Sequence, residues 1–189
     1  MLSEKELETL RNKLAEYEGE IPHMYLDSKG LVTVGVGNLI TSVQAAQALS
    51  FINKAGEPAT ADEIKADYDS VKQQQGNRIA SFYKPFTKLV MTQEGMDELT
   101  NKHIDTFYKE IKKIFSEFDD FPSAAKLALL DLIFNLGMTN LKNKWPNLNK
   151  AVNAKNWTDA ALASKRRAPV SDARNKYVKD LFEKAASLA

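Results

Sequence analysis

Two acids and a hydroxyl stand close together near the start of the chain. Glu18 ends a predicted helix, Asp27 follows nine residues later in a turn, and Thr33 lies six residues further on in a β-rich stretch. Because a helix end followed by a tight hairpin folds the chain back on itself, we expect these side chains to line one wall of a cleft. Cleavage of a glycosidic bond needs such a set: one protonated carboxyl for the leaving oxygen and one ionised carboxylate for water.

The surroundings of the two acids favour different protonation states. Glu18 lies at the C-terminal end of its helix, where the macrodipole and unpaired carbonyls disfavour negative charge, and we expect burial to keep it protonated. Asp27 opens the turn-rich stretch 27–30, whose backbone N–H groups suit an ionised carboxylate. Glu18 is therefore the candidate proton donor, and Asp27 with Thr33 would hold the water.

A charged residue from the far end of the chain joins this set. Arg174 falls on the apolar stripe of the last predicted helix, 172–186, where a charge is costly unless it is paired. A buried carboxylate is the expected partner. If that partner is Glu18, the guanidinium fixes the carboxyl but also favours its ionised form, and the sequence leaves the balance open.

Composition excludes several other kinds of chemistry. The chain has 189 residues, no Cys, two His and a formal net charge of +1. No Cys means no disulfide, no thiolate nucleophile and no Cys-rich zinc site, and two His are too few for most metal centres. The balanced charge excludes bulk attraction to nucleic acid or to an anionic membrane. We expect no metal, no cofactor, no nucleic-acid partner, no secretion signal and no membrane insertion.

The pattern along the chain predicts helices around one small antiparallel sheet. A capping box of Ser3 and Glu6 opens an amphipathic helix over 4–18, and the stretch 21–40 predicts a hairpin or meander. Further helices are predicted over 43–52, 61–74 with Thr60 as cap, 93–118, 124–136, 148–152, 158–165 and 172–186. The helix over 124–136 is apolar on nearly every side, which indicates a buried central helix that ends at Gly137.

These elements predict an α+β, predominantly helical fold, organised as a single domain with two lobes. We expect a small β-containing lobe at about 14–90 and a long linking helix at about 93–118. The helical lobe would span about 119–189 and include the first helix, with the cleft between the two lobes.

Other conspicuous residues have plainer explanations. His103, Trp145 and Trp157 are expected to be packed side chains, and the run 165–167 (Lys-Arg-Arg) a solvated helix end. The stretch 35–37 (Gly-Val-Gly) lacks the third Gly of a phosphate-binding loop, and it indicates close packing of strands instead.

The chain resembles the phage-type lysozymes, the muramidases of glycoside hydrolase family 24. The resemblance rests on Tyr17-Glu18-Gly19, on Tyr25-Leu26-Asp27 and on the Gly-rich stretch 30–37, and it continues in 132–137, the buried central helix. It implies a lysozyme-like fold and inverting hydrolysis, without a cofactor, of the β-1,4 bond between N-acetylmuramic acid and N-acetylglucosamine in peptidoglycan.

The resemblance also assigns roles to single residues. Glu18, Asp27 and Thr33 match the family's catalytic set, and Arg174 falls where the family has an Arg that pairs with the catalytic Glu. Asn135, next to Phe134, matches an amide that lines the cleft and contacts sugar. Two departures stand out: Asn38 replaces a His of the best-known members, whose salt bridge is not expected here, and the segment 42–88 is longer than in compact members.

Two rival functions remain open at this point. One is a wall-binding or inhibitor-binding module that kept the fold and lost the chemistry, and the other is a lytic transglycosylase that forms an anhydro-sugar. As a hydrolase, the protein is expected to be a monomer that acts on peptidoglycan glycan strands in the periplasm after release or delivery by another factor. A phage endolysin, a bacteriocin and an antibacterial effector with a cognate immunity protein all fit this description.

Overall fold

The computed structural model describes residues 2–188 and has the predicted mixture of many helices and a small sheet. The helices are α1 Glu4–Glu18, α2 Val43–Gln47, α3 Ala61–Lys72, α4 Gln93–Ile111, α5 Ser123–Leu136, α6 Met138–Lys144, α7 Pro146–Asn153, α8 Trp157–Ala163 and α9 Asp172–Ala186. The strands are β1 Ile21–Leu26, β2 Val32–Gly35, β3 Asn38–Leu39, β4 Phe51–Ile52 and β5 Val90–Met91, and short 3-10 helices span Ala80–Phe86 and Phe118–Asp120. The α+β, predominantly helical fold class is confirmed.

The chain divides into two compact units. One is Lys13–Lys102, and the other takes the rest of the described chain. Because α1 and α4 cross the two boundaries in sequence, each of these helices contributes residues to both units.

The unit Lys13–Lys102 is built on the antiparallel sheet β1-β2-β3, in which Tyr25 pairs with Thr33 and Thr33 pairs with Leu39. Its apolar core includes Met24, Val34, Ile64, Tyr83 and Leu89. A buried histidine ties β1 to the first 3-10 helix, since Nε2 of His23 lies 2.9 Å from the carbonyl oxygen of Ala80. Thr60 caps α3 as predicted, and the structure shows that it forms a capping box with Glu63.

The other unit is organised around α5, whose residues 124–125 and 127–133 are all buried. Trp157 packs edge-on against Phe121 with ring centroids 5.0 Å apart, and it stacks on Phe182 of α9 at 6.4 Å. The predicted buried helix is therefore confirmed, as is its end at Gly137, which has a φ of 74° that few other residues adopt. Trp157 is buried as predicted, whereas Trp145 is half-buried.

Two predicted helices are wrong in length. The helix expected over 43–52 stops at Gln47, because Phe51–Ile52 pair with Val90–Met91 as antiparallel strands and bury Phe51. The helix expected over 93–118 stops at Ile111. The turn that follows brings the ring centroid of Phe115 to 6.4 Å from that of Phe121, whereas six residues of continuous helix would rise about 9 Å.

Candidate active site

The hairpin turn between β1 and β2 is organised by the side chain of Asp27. Its Oδ1 accepts hydrogen bonds from the backbone N–H groups of Lys29 (2.8 Å) and Leu31 (2.9 Å). The backbone N–H of Asp27 in turn donates to the carbonyl oxygen of Leu31 at 2.9 Å. The expectation that this turn offers backbone N–H donors to the Asp27 carboxyl group is thus confirmed, and both donors use Oδ1, which leaves Oδ2 for another partner.

Thr33 is tied to the same point of the hairpin. Its hydroxyl donates to the carbonyl oxygen of Leu31 at 2.9 Å, the oxygen that also accepts from the backbone of Asp27. Since its hydrogen is committed in this way, Oγ1 of Thr33 has lone pairs left to accept a hydrogen bond. The side chain is only 2% exposed. Thr33, through its hydroxyl, and Asp27, through its backbone N–H, therefore both donate to the carbonyl oxygen of Leu31.

Glu18 is the last residue of α1, as predicted. The helix ends at Gly19, which has a φ of 80° and donates its N–H to the carbonyl oxygen of Ala15 at 3.1 Å. Glu18 itself is exposed. The expectation that Glu18 is buried is therefore wrong, because the side chain lies at a helix end that solvent reaches.

Tyr25 is influenced by the charges of both acids, and the sequence analysis missed it. Burial is the main cause that raises the pKa of the Tyr25 phenol above its ordinary value of 10.0, and the negative charges of Asp27 and Glu18 add to it. A hydrogen bond with the backbone of Gly37 acts in the opposite direction and lowers this pKa. The charges of both carboxylates thus act on the phenol of Tyr25. The period-two alternation of β1 and β2 could have found it, because Tyr25 is the cross-strand neighbour of Thr33.

The β2–β3 turn completes this part of the unit. Gly35 and Gly37 have φ values of 64° and 68°, which places both in the region that favours glycine. Asn38 follows as the first residue of β3, half-buried and opposite Val34 in the strand register. The role of Asn38 at the site stays a prediction.

Arg174 belongs to the other unit, and it is buried against an aspartate. Its Nε lies 3.1 Å from both carboxylate oxygens of Asp131, a residue of α5 with no exposed side-chain surface. Arg166 donates to the same carboxylate from Nη1 at 3.0 Å. The buried carboxylate that Arg174 requires is therefore present as Asp131, and a pairing of Arg174 with Glu18 stays a prediction.

Asp131 and Arg166 were missed by the sequence analysis. Arg166 is 3% exposed, so the expectation of a solvated helix end is wrong at this residue. Oδ1 of Asn175 accepts from the backbone N–H of Arg166 at 3.0 Å, and Nδ2 of Asn175 donates to the carbonyl of Arg166 at 2.9 Å. The sequence did contain a sign of this cluster, namely one Asp in a helix that is otherwise largely apolar. A buried Asp in such a helix needs a positively charged partner from elsewhere in the chain.

The two remaining predicted site residues also lie in this unit. Oδ1 of Asn135 accepts from Nη1 of Arg166 at 3.2 Å, which orients the amide and leaves its nitrogen to donate elsewhere. Phe134 is half-buried, with ring centroids 6.1 Å from His103 and 5.3 Å from Phe107. His103 is half-buried as predicted, and burial lowers the pKa of its imidazole.

Neither a metal cluster nor a membrane-spanning helix is found within residues 2–188. No group of three or more His, Cys, Asp or Glu side chains in that range is arranged to hold a metal ion. No single helix in that range is long and apolar enough to cross a membrane, and one pair, α5 with α6, reaches the required length and composition only with a bend of 105°.

Comparison with known proteins gives a consistent result. The sequence model of the family described as Phage lysozyme matches residues 15–183. The chain is also similar to a protein of Dictyostelium discoideum named Probable T4-type lysozyme 1, with 26% identity over 159 residues, which are 83% of this chain and 82% of that protein.

Proposed function

The chain belongs to the phage lysozyme family and is a lysozyme-like glycoside hydrolase of peptidoglycan, and we propose that it cleaves the β-1,4 bond between N-acetylmuramic acid and N-acetylglucosamine. In this proposal Glu18 is the general acid. Asp27 and Thr33 hold the attacking water.

The observation that supports these roles most strongly is the environment of Tyr25. The charges of both Asp27 and Glu18 act on its phenol, although nine residues of chain separate the two acids. A proton donor and a water-binding carboxylate must reach one sugar ring, so their approach to a common neighbour supports a shared task.

The hydrogen bonds around Leu31 support the positioning of the water. Oδ2 of Asp27 and the lone pairs of Thr33 Oγ1 are both left to accept, so one water could donate a hydrogen to each and direct its oxygen at the anomeric carbon. Asp27 then takes one proton while the water oxygen bonds to the carbon. The bond to the leaving oxygen breaks, and that oxygen takes the proton of Glu18. Attack from the face opposite the leaving group inverts the configuration.

The exposure of Glu18 leaves its carboxyl accessible to a substrate. A bound glycan strand would cover this carboxyl, and the substrate would thus supply the burial that the free chain does not.

The other predicted residues are assigned supporting roles. Asn135 would donate from its amide nitrogen to an N-acetyl or hydroxyl group, with Phe134 beside it, and Asn38 would contact substrate from β3. Arg174 would position the acid through its guanidinium. The cell wall would be reached in the periplasm by release or delivery through another factor, and a cognate inhibitor or immunity protein would act by covering Glu18 and Asp27.

The proposal is tested by replacing the acid. We expect Glu18→Gln to lower the rate of release of soluble fragments from purified sacculi by about 10²–10⁴-fold, because the amide cannot donate a proton to the leaving oxygen in the same way. Glu16→Gln is the matched control, since Glu16 is exposed on the same helix, where its carboxylate pairs with Lys13. A folded Glu18→Gln variant that clears sacculi at the wild-type rate would contradict the proposal.

A further inference from the structure

The hairpin that carries Asp27 extends beyond the third strand of its sheet. The contact of β3 with β2 reaches Val32, whose carbonyl oxygen accepts from the backbone N–H of Ile40 at 2.8 Å. The turn 27–31 lies beyond that contact, and its residues 28–31 are exposed. Because a two-stranded ribbon is only marginally stable by itself, the direction in which this turn points depends on what else supports it.

The pairing at the base of the same hairpin is irregular. From Ile21 to Tyr25 the strand β1 advances by four residues, whereas its partner β2 advances by two, from Thr33 to Gly35. An irregularity of this kind bends a strand and interrupts the ladder of hydrogen bonds. The sheet alone therefore does not fix the direction of the hairpin.

The loop 73–79, which follows the end of α3, lies against the turn of the hairpin. A Cβ atom at position 76 would lie 3.9 Å from the Cα of Gly30, which is an ordinary contact distance. Gly30 is part of the turn, since its backbone N–H donates to the carbonyl oxygen of Asp27 at 2.9 Å. Gly76 and Gly30 both lack a side chain, so the two backbones approach each other closely. This contact belongs to the long segment 42–88 that the sequence analysis singled out.

Tyr83 holds the loop from inside the unit. This side chain has no exposed surface, and it belongs to the same apolar core as Leu26 and Val32 of the hairpin. Its hydroxyl donates to the carbonyl oxygen of Gln75, the residue before Gly76, at 2.9 Å. The part of the loop that contacts the turn is thus tied to the core that the hairpin itself packs on.

Two further contacts fix the rest of the loop. Nη2 of Arg78 donates to Oε1 of Gln75 at 2.7 Å, and the guanidinium carbon of Arg78 lies 5.4 Å from the ring centroid of Phe82. The 3-10 helix that follows the loop is joined to β1 by the contact of His23 with the carbonyl oxygen of Ala80 at 2.9 Å. The loop is therefore held from both of its ends.

We propose that the 73–79 loop positions the hairpin for the reaction: its contact with Gly30 fixes the direction of the turn and so aligns the carboxylate of Asp27 with the bound sugar ring. The inference rests on the proposed function for the role of Asp27. A misplacement of about 1 Å in a catalytic group can lower a rate by about 10²-fold. Tyr83 and Gly76 are thus positioning residues, which act through the hairpin.

The first test removes the hydroxyl of Tyr83 and keeps its ring. In Tyr83→Phe, the backbone N–H groups of Lys29 and Leu31, which donate to Asp27, should exchange with deuterium about three- to tenfold faster, because one hydrogen bond contributes a factor of about that size. Nuclear magnetic resonance measures this exchange at single residues. On soluble glycan strands without cross-links, kcat should fall by a similar factor while KM stays unchanged, because alignment matters in the transition state.

Tyr68→Phe is the matched control for this variant. Tyr68 is buried in the same core, and within residues 2–188 no hydrogen bond joins its hydroxyl to the 73–79 loop. Both the exchange and kcat should stay within twofold of wild type. If Tyr83→Phe also stays within twofold, or if its kcat falls without faster exchange at Lys29 and Leu31, the inference is overturned.

A second pair of variants acts on the contact itself. Gly76→Ala should behave like wild type, because the backbone of Gly76 lies outside the left-handed region and a methyl group meets Gly30 at an ordinary distance. Gly76→Phe is too large for this contact, so the turn must move, and kcat should fall at least about tenfold. Circular dichroism checks that both variants are folded. Equal kcat values in the two folded variants would overturn the inference.

Positioning and cleavage can fail separately, since the exchange measurement uses the free protein and needs no substrate. Faster exchange in Tyr83→Phe, together with a wild-type protein that cleaves no glycan, would support the hold of the loop on the turn and contradict the proposed function. Cleavage by the wild type, together with unchanged exchange and kcat in Tyr83→Phe, would contradict the positioning alone.

Discussion

The hairpin around Asp27 and the buried cluster around Asp131 hold their carboxylates in different ways. Asp27 is held by N–H groups two and four residues away in the chain. Asp131 is held by Arg166 and Arg174, which are 35 and 43 residues away, and both guanidinium groups are nearly inaccessible to solvent. The first arrangement needs only a turn, whereas the second needs a folded unit. We therefore expect changes at the hairpin to affect rate and changes at the cluster to affect stability.

The largest effect should follow from Asp27→Asn. The carbonyl oxygen of Asn can still accept the two backbone N–H groups, so the free energy of unfolding should change by no more than about 1 kcal/mol. The rate of sacculus digestion should fall by about 10²–10⁴-fold, because an amide cannot take a proton from water. A rate within a fewfold of wild type would show that the hairpin carboxylate is not the base.

For Asp131→Asn we expect the reverse, namely a large loss of stability. This change removes the buried negative charge that Arg166 and Arg174 both contact, and the free energy of unfolding in urea should fall by about 3–5 kcal/mol. Asp180→Asn is the comparison, since Asp180 forms an exposed pair with Lys176 and should contribute only about 0–1 kcal/mol. Losses of equal size in the two variants would contradict the distinction between the regions.

Tyr25→Phe should have the smallest effect. It removes a hydrogen bond with the backbone of Gly37, which contributes about 0.5–1.5 kcal/mol to stability, and it should lower the rate only severalfold. Because the pKa of Tyr25 is raised above 10.0, the unfolded chain loses this proton first. Stability should therefore fall as the pH rises past that value, and less steeply in the variant. A rate loss as large as that of Glu18→Gln would contradict this expectation and show that the Tyr25 hydroxyl takes a direct part in the reaction.

Most of the hairpin site could be predicted from sequence because its determinants are local. The capping box at Ser3, the helix end at Gly19 and the turn at Asp27 each depend on residues within four positions. The exposure of Glu18 was not predictable in the same way, since it depends on what packs around the helix end rather than on the end itself.

The cluster around Asp131 could be predicted only in part. The apolar stripe of the last helix indicates that Arg174 needs a carboxylate, but its identity depends on contacts between α5 and α9. The early end of α4 was missed for a similar reason. The stripe of apolar residues continues beyond Ile111, whereas the observed turn depends on tertiary contacts such as that of Phe115 with Phe121.

The most direct test of the central claim is the fate of water at the cleaved bond. Sacculi digested by wild-type protein in water enriched with oxygen-18 should release muropeptides whose new reducing ends are heavier by one oxygen-18 label, as mass spectrometry detects. The same ends should be absent with Glu18→Gln. Anhydro ends as the sole product, with no label, would contradict hydrolysis by Glu18, Asp27 and Thr33.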